Sequence, residues 1–483
     1  MRDKGRIITV GVVLALGLTI IFLIASEEEP LTGRLIFTQV SADELGGEDN
    51  APGARRYPGQ NRIVALEPDG TLKVLTGGFY SARAPEVSYD GKRLLFAGQR
   101  QENDPWHIWE MTLNKLEIKQ ITSGLYDCTD PAYLADGQIV FSSIGADRPA
   151  QNKDGVTYAL YTCFLDGSEV RRITFHPHQD FTPSVLQDGR ILFRSWQMYP
   201  SGVSLLLNMR PDGTGVELFY QNRQGGRQSS RAWETSDGQV VLVETKEGDS
   251  GGRHLVAVSL MRPLHSRVVL TAGNEGNFHS VFPLSSGKLM VSYRPPGARR
   301  YALYEFDPAE GRLGRLIYSD PAYHALEPVM AVQRPRPKRL PSIVNQQKKK
   351  GWLFCLNANL LDQQDSSGIN SPPKGNWVEV FGPQGELGQV VLEDDGSFYV
   401  EIPADLPVRL QTVNEEGRVV RGPSAWIWVR PNEHRGCIGC HEDREMAPEN
   451  RVPLAITKPA VSLLSPTSSL AAGERSLSKG IEK

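Results

Sequence analysis

Short apolar, β-branched runs alternate with tight polar turns from about residue 33 to residue 334. One unit recurs as a turn followed by a strand-like run: Gly33-Arg-Leu-Ile-Phe, Lys92-Arg-Leu-Leu-Phe, Gly137-Gln-Ile-Val-Phe, Gly189-Arg-Ile-Leu-Phe, Gly238-Gln-Val-Val-Leu and Gly287-Lys-Leu-Met-Val. Five of these follow a turn dipeptide, Asp90-Gly91, Asp136-Gly137, Asp188-Gly189, Asp237-Gly238 and Ser286-Gly287, with glycines 46, 52, 49 and 49 residues apart. Such dipeptides between β-runs mark hairpins, because the turn needs positive φ. A second hairpin lies between successive copies, as in Ile63-Val-Ala-Leu-Glu-Pro-Asp-Gly-Thr-Leu-Lys-Val-Leu, with counterparts over 109–121, 160–173, 206–219, 255–270 and 303–317. Two hairpins make four strands per repeat, and six copies predict an all-β chain with a six-bladed β-propeller over 31–334. An open β-solenoid fits the two-hairpin unit poorly.

The ends of the repeat array support a closed ring. Residues 34–39 already match the second strand of the other blades, and Glu327-Pro-Val-Met-Ala-Val-Gln supplies the missing first strand. The turn pattern resembles TolB/WD40-like propellers. A Pro-rich, basic stretch over 335–350, ending in Lys348-Lys349-Lys350, reads as a linker with a solvated lysine run. Strand-like runs at 351–356, 377–381, 388–392, 397–402, 408–412 and 424–429 predict a small β-sandwich or barrel over 351–430. Residues 431–483 form a short motif-bearing segment and an extended tail.

Residues 7–25 carry no charge, and a helix of that length spans about 28 Å, close to the hydrocarbon thickness of a bilayer. Arg2, Lys4 and Arg6 precede it and Glu27, Glu28 and Glu29 follow, which places the N-terminus in the cytoplasm and the remainder outside. Residues 1–30 therefore read as a transmembrane anchor, with a cleaved signal peptide as the rival; both export the body of the protein to the periplasmic side. A net charge of −3 leaves no electrostatic footprint for nucleic acid.

Cys437-Ile438-Gly439-Cys440-His441 spells C-x-x-C-H, the attachment signature of a c-type haem. Two thiols at this spacing add across the vinyl groups of one porphyrin, and the adjacent imidazole falls beneath the iron. A thioredoxin-like pair would want a βαβ context, and a four-thiolate zinc site a second C-x-x-C; neither is present. One covalent haem c on Cys437, Cys440 and His441 is the expectation. Of the other cysteines, Cys163 and Cys355 sit in apolar runs and read as buried small hydrophobes. Cys128, between Asp127 and Asp130, is a candidate zinc or iron ligand, with a partly buried thiol as the plainer reading.

Loops entering the first strand of successive blades carry His176, His178, Arg227 to Arg231, His279 and His324. Each alone reads as a turn or hydrogen-bonding residue. Their clustering on one face makes the four histidines candidates for catalysis or for the sixth iron position, and makes that face the expected roof over the haem. Met446 is too near His441 to reach the opposite side of the iron.

The run from Trp426 through Cys437-Ile-Gly-Cys-His-Glu-Asp-Arg-Glu-Met to Arg451, with the order propeller, β-domain and haem motif, resembles proteins related to the α subunit of hydrazine synthase. The resemblance covers most of the exported chain; it is specific at the motif and generic in the propeller. It implies an extracytoplasmic c-type haem enclosed between domains, in a multi-subunit enzyme that condenses reactive nitrogen species. Two features depart from that pattern. The family carries a second haem further on, whereas here 42 residues follow His441. The family's iron-binding tyrosine, four residues past the motif histidine, is Glu445 here, so a zinc site on the freed histidine is carried over only as an open alternative. The expectation is a membrane-anchored mono-haem redox or electron-transfer component with a redox partner or further subunits, and a candidate oxidoreductase subunit. The alternative is a non-catalytic propeller scaffold whose haem is structural or sensory.

Overall fold

The computed structural model describes residues 33–41, 59–145, 157–197, 203–222, 225–245, 252–273, 275–360, 374–438, 445 and 450–463. The expected membrane-spanning segment, Gly439, Cys440, His441, Met446 and the tail beyond 463 lie outside them. Among the described residues no helix is long and apolar enough to cross a membrane.

Six four-stranded antiparallel sheets follow one another around a ring. Their innermost strands are Tyr323–Ala331, Ser81–Val87, Cys128–Tyr133, Gln179–Val185, Trp233–Glu234 and Asn277–Pro283, in blades 1 to 6. Blade 1 is closed as the repeat phasing predicts: Tyr323–Ala331 pairs antiparallel with Arg34–Ser41, Leu35 opposite Met330 and Val40 opposite His324. Apolar layers such as Val140, Leu160, Phe193 and Met209 fill the seams between blades.

Strand parity divides the disc into two faces. Turns joining first to second and third to fourth strands lie at one end of every blade, here the turn face. Second-to-third connections and the loops between blades lie at the other, the loop face. Turn glycines carry the departing chain: Gly91 and Gly189 have φ near +73° and +93°, and a Cβ on either would collide with backbone at Val332, just before the linker, or at Lys338 within it.

One feature of the inner strands escaped the repeat reading. Ala84-Pro85, Asp130-Pro131, Thr182-Pro183 and Glu327-Pro328 occupy equivalent positions in blades 2, 3, 4 and 1, the first residue of each at φ between 48° and 55°. Each pair sits at a register shift. Proline is admitted into a sheet at such bulges, and bulges re-aim a side chain. The left-handed backbone costs on the order of 1–3 kcal/mol at each non-glycine position, and the surrounding sheet must offset it. The re-aimed residues line a cavity on the propeller axis with Ser230 and His279 from blades 5 and 6.

Arg231 of blade 5 closes this axis by reaching across to blades 2 and 3. Its guanidinium donates to Glu86 Oε2 at 2.8 Å and to the Pro131 carbonyl at 3.0 Å. Arg334 of the linker pairs with the other oxygen of Glu86 and lies over the rings of Tyr89 and Trp233.

The second domain is a β-sandwich. One sheet orders His434–Cys437, Lys350–Cys355, Phe398–Pro403 and Val461–Ser462; the other orders Gly385–Val391, Trp377–Gly382, Arg409–Val413 and Val419–Arg421. Leu353, Cys355 and Val400 from the first meet Val378, Val380 and Leu410 from the second. The run at 424–429 is not a strand: it makes only an isolated bridge, Ile427 to Val408. Its alternate residues serve two neighbours, since Ile427 packs on the sandwich while Trp428 enters the propeller core.

Because Glu86 is 3 % exposed, Arg231→Met leaves a buried carboxylate with Arg334 as its remaining cation. The expected loss is on the order of 2–3 kcal/mol, below the ~3–5 kcal/mol of a buried charge left wholly uncompensated. Denaturant unfolding of the two proteins measures it, and a loss under 1 kcal/mol refutes the cross-axis pairing.

Candidate functional site

Cys437 ends the strand His434–Cys437, which pairs in parallel with Lys350–Cys355 at the edge of its sheet. The strand is short and polar, so hydrophobic periodicity gives no signal for it. Its register is held by Trp352 N–H to Glu433 O at 2.8 Å and Leu356 N–H to Cys437 O at 2.9 Å. Trp352 and His434 stack across the pair at 4.3 Å and 14°. Cys437 is partly exposed and abuts the sandwich core.

Both flanks of the motif are tied to the turn face of the propeller. Glu433 accepts from the Gly215 N–H at 2.8 Å and from the Arg430 N–H at 2.6 Å. Arg435 donates to the carbonyls of Val216 and Trp428. Beyond the motif, Glu445 accepts from the Leu264 N–H at 2.6 Å and pairs with Arg262 at 3.4 Å. Gly215 and Val216 follow the third strand of blade 4, and Leu264 that of blade 5.

The linker approaches the same face. Arg334 N–H donates to the Tyr89 carbonyl at 2.9 Å, Lys338 N–H to the Gln187 carbonyl at 3.0 Å, and Asp212 accepts from Ser342 and Ile343. The motif-bearing domain therefore docks opposite the loop face that sequence reasoning chose as its roof. The reason is topological: a first strand runs from loop face to turn face, and the chain leaves the propeller by one.

The four loop histidines divide into two groups. His176 and His178 are buried with their rings 5.1 Å apart, and His176 Nε2 meets Asp180 Oδ2 at 2.9 Å. The His176 ring stacks on Trp428 of the second domain at 5.1 Å and 8°. His279 and His324 flank Tyr301, whose N–H donates to His324 Nδ1 at 3.1 Å. That bond fixes His324 as the tautomer protonated on Nε2.

Cys128 opens the first strand of blade 3, with Sγ 3.5 Å from Ser143 Oγ and 3.7 Å from the Tyr126 carbonyl. Burial pushes its thiol up, and pushes that of Cys163, in the same apolar cluster, to about 12. Among the described residues no three His, Cys, Asp or Glu side chains gather to hold a metal ion. Cys163 and Cys355 are buried apolar packing, as their strands suggest.

The joint itself is polar and buried. Arg430, 3 % exposed, donates to Asp405 at 3.0 Å and to the Arg172 carbonyl at 3.2 Å. Burial raises Asp405 to about 6, with Arg430 and Arg172 countering, and burial raises Glu433 in the same direction.

Residues 359–442 match the family described as the hydrazine synthase alpha subunit middle domain. Across 543 aligned positions the chain is 23 % identical to hydrazine synthase subunit alpha of Kuenenia stuttgartiensis, covering 86 % of this chain and 67 % of that protein. A solved Kuenenia stuttgartiensis hydrazine synthase structure superposes with a TM-score of 0.75 at 21 % identity, over 88 % of this chain and 71 % of that one. The chain is related to the hydrazine synthase alpha subunit. The shared fold spans propeller and sandwich together, so their order along the chain is common to the two proteins. A TolB of Acinetobacter baumannii aligns over 63 % of this chain and 68 % of its own, with a TM-score of 0.40 and 14 % identity.

Two measurements probe the joint. Trp428→Ala removes a side chain 1 % exposed in the seam of blades 3 and 4, and is expected to cost about 3–5 kcal/mol, read by calorimetry. A change below 1 kcal/mol refutes the anchoring role. The second concerns pH. A carboxyl raised above its unfolded value near 3.9 stabilises the fold at low pH, and that contribution is lost as pH rises from about 4 through about 6. The wild type should therefore lose more Tm than Asp405→Asn between pH 4 and pH 7, and parallel Tm curves would contradict the assignment.

Proposed function

We propose that this chain is an exported, membrane-anchored mono-haem c-type protein, acting as a redox or electron-transfer component or as one subunit of a haem-dependent oxidoreductase. Cys437 and Cys440 would hold the haem through thioethers, and His441 would supply a ligand to its iron. The observation that carries this reading is the placement of Cys437. It stands partly exposed at the end of an edge strand, against the margin of the sandwich core.

The chain's own residues position that group. Glu433 and Arg435 hold the incoming strand to blade 4, and Glu445 holds the outgoing chain to blade 5. The residues on either side of the motif are thus anchored to one face of the propeller. Bound haem supplies a one-electron couple and an iron coordination site, tuned by axial ligand and local polarity. Partner chains deliver or accept the electrons.

Hydrazine chemistry belongs to the name of the relative and is not extended to this chain. Glu445 occupies the position that the resemblance gives to an iron-binding tyrosine, and its carboxylate is engaged with blade 5.

Export of the protein alongside a cytochrome c maturation system, followed by haem staining of a denaturing gel, tests the reading. A stained band is expected, abolished when Cys437 and Cys440 are both replaced by Ala; a colourless wild-type band refutes it. A ferric high-spin spectrum that shifts on adding a small ligand assigns catalysis, and a low-spin, ligand-inert spectrum assigns electron transfer.

A further inference from the structure

Cys355 is the register partner of Cys437 in the parallel pair of Lys350–Cys355 with His434–Cys437. Partnered residues there share a face, as the stacked rings of Trp352 and His434 show. Three residues further along, the alternation turns the opposite way, toward the sandwich interior. Leu353 and Cys355 are core residues, and Cys437 packs against that core. The two cysteines therefore project side by side from adjacent strands. Such strands run about 4.8 Å apart, within the Cα separation of roughly 4.4–6.8 Å that a disulfide bridges.

We propose that Cys355 is a redox partner of Cys437, forming a disulfide in the unloaded protein that excludes haem attachment until it is reduced. This rests on Cys437 being a haem-attachment residue, as set out above; the disulfide itself does not. The chemistry balances with a protein dithiol–disulfide oxidant of the exported compartment. Cys437, the exposed member, takes one sulfur of the oxidant's disulfide as a mixed disulfide and releases the other as a thiol. The Cys355 sulfur then attacks Cys437, expelling the second oxidant thiol. Two protons and two electrons pass to the oxidant, and one S–S bond replaces two S–H bonds. A thioether to porphyrin uses the same Cys437 sulfur, so bridge and attachment are mutually exclusive.

The neighbouring residues favour a local bridge. The ladder bonds on either side, from Trp352 and Leu356, hold Cys437 in register beside Cys355, and closing the bridge brings their Cβ atoms to about 3.5–4.5 Å. Cys440 competes for Cys437 from within the motif.

The test is made on the full chain exported without a maturation system. The chain is denatured in an alkylating agent without reductant, digested, and analysed by mass spectrometry. The expected result is a peptide pair linking Cys355 to Cys437, which disappears on reduction. Alkylated Cys355, with Cys437 either alkylated or linked to Cys440, overturns the proposal. This readout involves no haem, so it stands or falls apart from haem staining. The exclusion of haem is tested separately, by co-expression with the maturation system under limiting reductant. Cys355→Ala should raise haem incorporation at least two-fold over wild type and abolish its dependence on added reductant; equal incorporation overturns the exclusion.

Discussion

Closure of the ring by a strand from its far end is the constraint on which the remaining architecture depends. Tyr323–Ala331 supplies the innermost strand of the first blade, pairing with Arg34–Ser41. An innermost strand runs from the loop face to the turn face, so a chain that closes the ring this way must leave on the turn face. Everything downstream inherits that exit. The linker contacts the turns at Tyr89, Gln187 and Asp212, and the sandwich it delivers docks on blades 4 and 5. The contacts that fix the second domain are mostly polar and buried, which gives them direction: Glu433 and Arg435 have one geometry that satisfies them, and an unmade bond there costs about 1–3 kcal/mol.

The propeller axis is built by opposed demands. Four left-handed, proline-followed bulges aim side chains at the axis, at a conformational cost that only a closed ring can impose. Arg231 then bridges blades that lie on opposite sides of that axis, and Glu86 shares its two oxygens between Arg231 and the linker's Arg334. Ring, axis and linker are thereby coupled through one carboxylate. Loss of either arginine leaves that buried carboxylate with one cation.

The blade count, the strand pairs within blades and the ring closure were legible in the sequence because each rests on local signals: turn glycines at fixed offsets and a period of two. The sandwich was legible for the same reason over 377–402. What could not be read depended on contacts distant in sequence. Trp426-Ile-Trp-Val looks like a strand because it alternates, yet Trp428 belongs to the seam of blades 3 and 4. His434-Arg-Gly-Cys looks like a loop because it is polar, yet it is a strand fixed by Lys350–Cys355, some eighty residues earlier. Cys355 looks like filler, and only register places it beside Cys437. The docking face was the largest miss, and the information for it was present: parity of strands in a closed ring determines the exit, whereas the choice of the loop face followed the chemistry of its residues alone. The repeated residue–proline step at 84, 130, 182 and 327 was equally available as a signal for the axial ring.

The two faces bear directly on how far the loop histidines lie from the flanks of the motif. A first strand of seven residues spans about 20 Å, and His279 and His324 lie toward the loop-face end of their strands. An imidazole reaches a few ångströms from its backbone, so neither spans the depth of a blade from that position. Across the axis, Arg231 is paired with Glu86. His176 is nearer, through its stack on Trp428, but its Nε2 is engaged by Asp180 and the Trp428 indole stands between it and the sandwich. The loop-face histidines and the anchored flanks of the motif therefore lie toward opposite faces of the disc.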